Sequence, residues 1–324
     1  PFTPPETLVI RLERLAGLGV TAAITPFAAG GRRTSLGHAG DWRDEDPNGV
    51  PLPMVHTSRE DGALLARRAA LGATVTVRVE AKMITKPSCN VVGDLRGDLW
   101  PDEWIVLGAH HDTTIDSPGA NDNASGSTVV LEVARLVARL KQENGVALGR
   151  SIRFITFGSE EQGLQGSTAF VDRHYGQDPI PRLMINLDEL ATGIMKGVAL
   201  QFPELRPLIQ RQLDEMREGL TCHVMAQMDS SGDMFPFARR GIPSGMLWRW
   251  RFVGRHPDAG FGHSSTDTVD KVRIRELKEY SGLLARLLLR TSHVAPEEWP
   301  ENNLNITEIA NRTAQERGSV LRTM

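Results

Sequence analysis

Apolar positions recur along this chain with two different periods, and the elements they predict fall into two groups. Over residues 6–18 (ETLVIRLERLAGL) they lie three and four apart, as on an amphipathic helix, and residues 19–24 follow as a short strand. Residues 28–50, rich in Gly, Asp and Arg, read as loop; a helix then runs from about residue 57 through Leu71 and is ended by Gly72. Residues 74–80 alternate strictly, with Val75, Val77 and Val79 on one face, which predicts a half-buried strand. From Lys86 onward longer strands alternate with helices. Strands are predicted from Asn90, at 104–107, 151–157, 182–187 and 244–250, with a turn over 94–102. Helices are predicted around Val129, Val133, Leu136, Val137 and Leu140, up to about His174, over 203–218 and 234–240, and as a closing element over 274–289 before a polar tail. The pattern gives an α/β class: a small module over residues 1–82 and a large α/β domain over 83–324.

The ends of the predicted strands carry the chemistry. The run Trp104, Ile105, Val106, Leu107 is continuous, as in a parallel strand covered on both faces, and it leads through Gly108 and Ala109 to His110 and Asp112. Open α/β sheets place their sites beyond the carboxyl ends of strands. His110 is a candidate metal ligand there, with Asp112 as the carboxylate that accepts its other ring N–H. Asp122 follows in GANDNASG just before a helix, where Asp122 or Ser125 can equally serve as a cap. Later strand ends deliver Glu160 and Glu161, then Asp188, and a Gly- and His-containing loop delivers His263. His110, Asp122, Glu161, Asp188 and His263 form an imidazole and carboxylate set that suits zinc. Five ligands can hold two ions if one bridges. Asp122 is the candidate bridge, with His110 and Asp188 on one ion and Glu161 and His263 on the other. Glu160, beside a ligand but free itself, is the candidate general base, although a lone loop glutamate is more often simply exposed.

Composition narrows the alternatives. At 324 residues the chain fits one large domain plus an appendage. A net charge of −3 gives no support for nucleic acid or an anionic membrane as main partner. Cys89 and Cys222 alone make neither a disulfide framework nor a thiolate zinc cluster, so a metal site must use His and carboxylate. No apolar run approaches ~18 residues, so no membrane span is expected. The opening PFTPPETLVI does not read as a signal segment, and Asn305-Ile306-Thr307 and Asn311-Arg312-Thr313 match the glycosylation acceptor pattern without deciding localisation.

The motifs HHD (110–112), PGANDNASG (118–126), GSEEQGLQGS (158–167), INLDELATG (185–193) and GHSSTDT (262–268) resemble, in order, the five metal-site motifs of the M28 zinc peptidases. GDMFPFARRGIP (232–243) is similar to a further segment of that family, and the likeness covers most of residues 83–292. The resemblance implies a mixed, mostly parallel sheet with helices on both faces, two Zn²⁺ ions on the five ligands named above, Glu160 as base, Asp112 orienting His110, and a cis peptide after Asp122. It also implies a peptide substrate cut by water, and a secreted or extracytoplasmic setting. His111 and Ser265 depart from the commonest pattern without removing a ligand. GLGVTAAI, PLPMVHTSREDGALL and GATVTVRVEA resemble a partial protease-associated domain over the first quarter of the chain. Which exopeptidase activity is present stays open. Arg249, Arg251 and Arg255 can hold a substrate carboxylate, as in a carboxypeptidase, or point to solvent. The short segment after the closing helix points instead to an aminopeptidase acting on an apolar first residue. A single-zinc, glutaminyl-cyclase-like transferase and a receptor built on an inactive peptidase fold are the other readings.

Overall fold

The structure, a computed structural model, describes residues 8–27, 30–31, 34, 52–80, 84–176, 180–191, 194–216, 223–226, 231–250, 261–300, 308 and 311. The predicted loop over 28–50 (apart from residues 30, 31 and 34), Arg251, Arg255, Cys222 and both glycosylation patterns (apart from Asn311) lie outside the described residues, as does the side chain of Arg249. Two compact units emerge. One comprises Pro1–Pro87, Thr114–Gly119 and Gly260–Thr268; the other comprises Ser88–Thr113, Ala120–Ala259 and Val269–Met324.

In the first unit, α1 (Leu8–Gly17) precedes β1 (Ala23–Pro26), which pairs in parallel with β2 (Met54–Thr57), and α2 (Arg59–Ala70) follows. Ser58 starts α2 by accepting the Asp61 N–H at 3.1 Å, and Asp61 places a negative charge in the first turn, where the helix dipole favours it. Gly62 is required by close packing, because a Cβ there would lie 2.5 Å from Pro26 Cγ. The strand expected over 74–80 does not form. Among the described residues they carry no strand pairing, and Val75 and Val79 are 56% and 49% exposed. Alternation marks a surface that can pair, but a strand needs a neighbour to take up its N–H and C=O groups. β2 is an element the apolar pattern does not single out.

The second unit holds a seven-stranded sheet in the order β3-β5-β4-β6-β9-β7-β8. Its strands are β3 (Val91–Leu95), β4 (Trp100–His110), β5 (Arg150–Phe157), β6 (Leu183–Asn186), β7 (Ile194–Leu200), β8 (His223–Ala226) and β9 (Ser244–Trp250). β5, β4, β6 and β9 run parallel at the centre; β3 is antiparallel to β5, and β7 is antiparallel to β9 while parallel to β8. The sheet is therefore mixed and mostly parallel, as expected. β4 begins at Trp100, inside the segment expected to be a turn, with a register shift between Trp100 and Trp104. β7 and β8 are not legible as strands in the sequence, since IMKGVAL is broken by Lys196 and Gly197 and HVMA is only four residues long.

Side-chain alternation distributes the apolar runs to two cores. Ile105, Leu107, Ile152, Phe154, Leu183 and Ile185 join one core with α3 (Gly126–Gln142), α5 (Arg206–Glu215) and α7 (Ile274–Ser292). Val106, Ile155, Phe157 and Met184 join the other with α4 (Gln165–His174) and α6 (Met234–Arg239). Both faces are covered, which is why the central strands read as unbroken apolar runs. Val129, Val130, Val133 and Val137 form the buried stripe of α3. Each such side chain is worth about 1.5–3 kcal/mol of transfer free energy, so a charge at Val133 would break the α3 contact. Among the described residues no helix is long and apolar enough to cross a membrane.

Candidate metal centre

Parallel central strands deliver their following loops to one edge of the sheet. His110 is the last residue of β4, and its backbone carbonyl accepts the Ser127 hydroxyl at 2.6 Å. Asp188 stands two residues beyond the end of β6, and Glu160 and Glu161 three and four residues beyond the end of β5. Asp122 lies in the turn 120–125 that enters α3, and the Asp122–Asn123 peptide is cis, as the motif implies.

These side chains converge on one imidazole nitrogen. His110 Nε2 lies 3.2 Å from Asp122 Oδ1, 3.4 Å from Asp188 Oδ1 and 3.9 Å from Glu160 Oε2. Ligand atoms of His110, Asp122 and Glu161 all fall within 4.8 Å of one another, as do those of His110, Glu160 and Asp188. His110 is common to both trios. On the other side of the ring, Nδ1 donates to the backbone carbonyl of Asp112 at 3.1 Å, with the Asp112 carboxylate at 3.6 Å. That leaves Nε2 as the nitrogen available to an electrophile. His110 Nε2 and Asp188 Oδ1 are buried, and neither has a hydrogen-bond partner among the described residues. An imidazole nitrogen and several carboxylates, buried and crowded together with orphaned atoms, fit a divalent cation better than they fit each other.

The charges say the same. Burial pulls His110 toward its neutral form, but Asp188, Asp112 and Asp122 outweigh it and hold the imidazole pKa well above its usual value. Burial, with Asp233, Asp188 and Glu161 adding to it and His110 opposing, pushes Glu160 up to about 9. Asp233, fully buried at the head of α6, is pushed up to about 7, first by its burial. Burial also pushes Asp112 upward, yet the bonds from His110 and from the backbone N–H groups of Glu160 and Glu161 hold it below the usual carboxylate range. A site that must take a proton onto so many groups is one in which positive charge is missing from the residue set.

Several residues that build this centre are not among the candidate ligands. Asn121 Oδ1 accepts the Ala191 N–H at 3.0 Å and its Nδ2 donates to Glu189 at 3.2 Å, while Ser125 Oγ accepts the Leu190 N–H at 2.8 Å. Asn90 holds the glutamate loop, accepting the Gly158 N–H at 3.2 Å and donating to the Gly166 carbonyl at 2.9 Å. The capping alternative at α3 resolves onto Asn123, whose Oδ1 accepts the Gly126 N–H at 2.9 Å, and Ser125 makes no side-chain capping bond. Left-handed backbone at non-glycine positions is sparse and costly, and it gathers at these loops: Ser159 (φ 59°) precedes Glu160, and Glu189 (φ 48°) follows Asp188.

The fifth expected ligand, His263, belongs to the first unit, in the segment Gly260–Thr268, with its own backbone at φ 58°. Its neighbour Ser264 is buried and donates to the Phe261 carbonyl at 2.6 Å. Neither of the two trios contains His263.

Residues 90–288 match peptidase family M28, and the chain belongs to that family. It is 28% identical over 249 residues to aminopeptidase YwaD of Bacillus subtilis, covering 73% of this chain and 51% of that protein. It is 29% identical over 261 residues to a probable leucine aminopeptidase 2 of Aspergillus oryzae, covering 76% and 49%. The chain thus spans about half the length of these curated relatives. Among solved structures it is similar in fold to a zinc aminopeptidase from Bacillus subtilis, with a TM-score of 0.66, 21% identity, and 93% and 71% of the two chains covered. A peptidase M28 precursor from Shewanella amazonensis gives a TM-score of 0.70 at 19% identity, covering 92% and 65%.

Proposed function

We propose that this chain is a zinc-dependent aminopeptidase of family M28 that removes apolar residues from the free amino end of peptides. The observation that carries the reading is the convergence of Asp122 and Asp188 on His110 Nε2, at 3.2 and 3.4 Å, with Glu160 and Glu161 in the same buried cluster. The aminopeptidase names of the relatives support the choice of chain end.

His110 and Asp188 would hold one Zn²⁺, Glu161 and His263 a second, and Asp122 would bridge them; the place of His263 rests on its motif, GHSSTDT. Bound zinc supplies Lewis acidity toward the scissile carbonyl and lowers the pKa of the attacking water. Glu160 then does the proton work. Its carboxylate, beside His110 Nε2 at 3.9 Å, would accept the proton of that water and return it to the departing amine. Asp112 keeps Glu160 and His110 in place. Residues 1–82 are read as a partial protease-associated-like module in addition to this domain.

The test compares one short peptide in its free, N-acetylated and C-amidated forms, with the zinc-loaded protein. The aminopeptidase reading expects cleavage of the free and amidated forms and none of the acetylated one. Cleavage that survives acetylation but is lost on amidation would assign a carboxypeptidase instead.

A further inference from the structure

The Asp112 carboxylate is bound more closely by the glutamate loop than by the imidazole. Its Oδ1 accepts the Glu160 backbone N–H at 3.0 Å and its Oδ2 accepts the Glu161 N–H at 3.3 Å. The His110 Nδ1–H goes to the backbone carbonyl of Asp112 at 3.1 Å, closer than either carboxylate oxygen, the nearer of which is 3.6 Å away. Any residue at position 112 would supply that carbonyl. A fork that accepts two consecutive N–H groups is something only a carboxylate supplies, and acceptance by an ionised group makes both bonds stronger than neutral ones.

The loop is shaped to receive the fork. Ser159 at φ 59° turns the chain out of β5. Behind it, Gly163 and Leu164 both return their N–H groups to the Glu160 carbonyl at 2.8 Å, and Gln165 returns its own to the Ser159 carbonyl at 3.0 Å. With the far side of the turn closed on itself, the N–H groups of Glu160 and Glu161 are presented toward β4. β4 and β5 are adjacent and in register, with His110 opposite Phe157, so Asp112 stands where it can reach across.

We propose that Asp112 is the positioning residue of the Glu160–Glu161 pair: its carboxylate, at the end of one strand, clamps consecutive amides of the loop after the neighbouring strand and so sets the base and a ligand relative to His110. This rests on the assignment of Glu160 as base. The clamp itself is a backbone arrangement and is read without turnover.

The experiment measures amide hydrogen exchange over residues 158–164, together with zinc content, kcat and KM on leucine p-nitroanilide, for the wild type, Asp112→Asn and Asp112→Ala. The carboxamide keeps the size of the side chain but turns an NH₂ toward one of the two N–H groups. The clamp predicts exchange at Glu160 and Glu161 faster by about tenfold or more in Asp112→Asn, with and without zinc. It also predicts kcat lower by roughly 10²-fold, KM within about threefold, and zinc content unchanged. Asp112→Ala, which removes both acceptors without adding a donor, should show the same exchange signature if the Asn variant folds poorly. Unaltered exchange at both amides would overturn the proposal. So would an activity loss that excess zinc restores in full, the pattern of a residue that only orients a ligating imidazole. If the wild type cleaves no peptide, the base assignment fails while the exchange comparison still decides the clamp.

Discussion

Asn123 Nδ2 donates to the backbone carbonyl of Leu187 at 2.9 Å, which joins the residue after Asp122 to the residue before Asp188. The same side chain accepts the Gly126 N–H through Oδ1, so one amide group fixes the entry of α3 and the exit of β6 together. Two candidate ligands, 66 positions apart in sequence (188 less 122), are held through their neighbours. Replacing Asn123 with Ala leaves a buried donor and a buried acceptor unpaired, at about 1–3 kcal/mol each. Urea unfolding should show that loss, and zinc affinity should fall roughly 10–100-fold, as for other residues that orient ligands.

Gly126 sits under this joint. A Cβ there would lie 2.3 Å from Asn123 Oδ1 and 2.6 Å from the Leu187 carbonyl oxygen. Gly126→Ala should improve intrinsic helix propensity by about 0.8–1 kcal/mol, but overpacking of about 1–3 kcal/mol is the larger effect. A net drop in the urea midpoint is expected, whereas a stabilised variant would show the joint to be slack.

At the opposite end of the strands, Arg150 is fully buried, with its guanidinium 4.7 Å from the Trp100 ring and 5.1 Å from the Trp299 ring. Its Nε donates to Glu103 at 2.7 Å, its Nη1 donates to the carbonyls of Ser292 and Val294, and Arg182 bonds Glu103 at 2.9 and 3.1 Å. Arg150→Met should cost about 3 kcal/mol, the low end for a broken buried pair, because Arg182 still covers Glu103. Burial pushes the Glu103 carboxyl up, but the two arginines hold it below its ordinary 4.5. Its contribution is therefore present above that pH and is lost as pH falls through the lower folded value. The difference in unfolding free energy between wild type and variant should shrink as the pH is lowered below 4.5.

Glu160→Gln removes the proton acceptor and keeps the shape. Turnover should fall on the order of 10²–10⁴-fold with zinc content unchanged. Activity within a few-fold of wild type would place the base elsewhere.

Most of the candidates are legible because they follow an apolar run, and a residue type that binds metal at a strand end is visible without knowing its neighbours. His110, Glu160, Glu161 and Asp188 come from that rule, and the central sheet comes from the same runs; Asp122 stands before a helix, where a cap is an equal reading, and is singled out by its company. Asn90, Asn121 and Asn123 are not legible as supports, because their partners lie 64 to 76 positions away and an amide side chain advertises no partner. The role of Asp112 is only half legible: its partnership with His110 is local, whereas its bonds to Glu160 and Glu161 span 48 and 49 positions. The segment 74–80 shows the converse, a local pattern with no pairing neighbour among the described residues.

The most direct measurement is anomalous diffraction at the zinc edge from crystals of the zinc-loaded protein. Two peaks about 3.5–4 Å apart are expected, with an Asp122 oxygen on each and His110 and Asp188 on one of them. A single peak, or peaks away from His110 and Asp122, would contradict the two-zinc account.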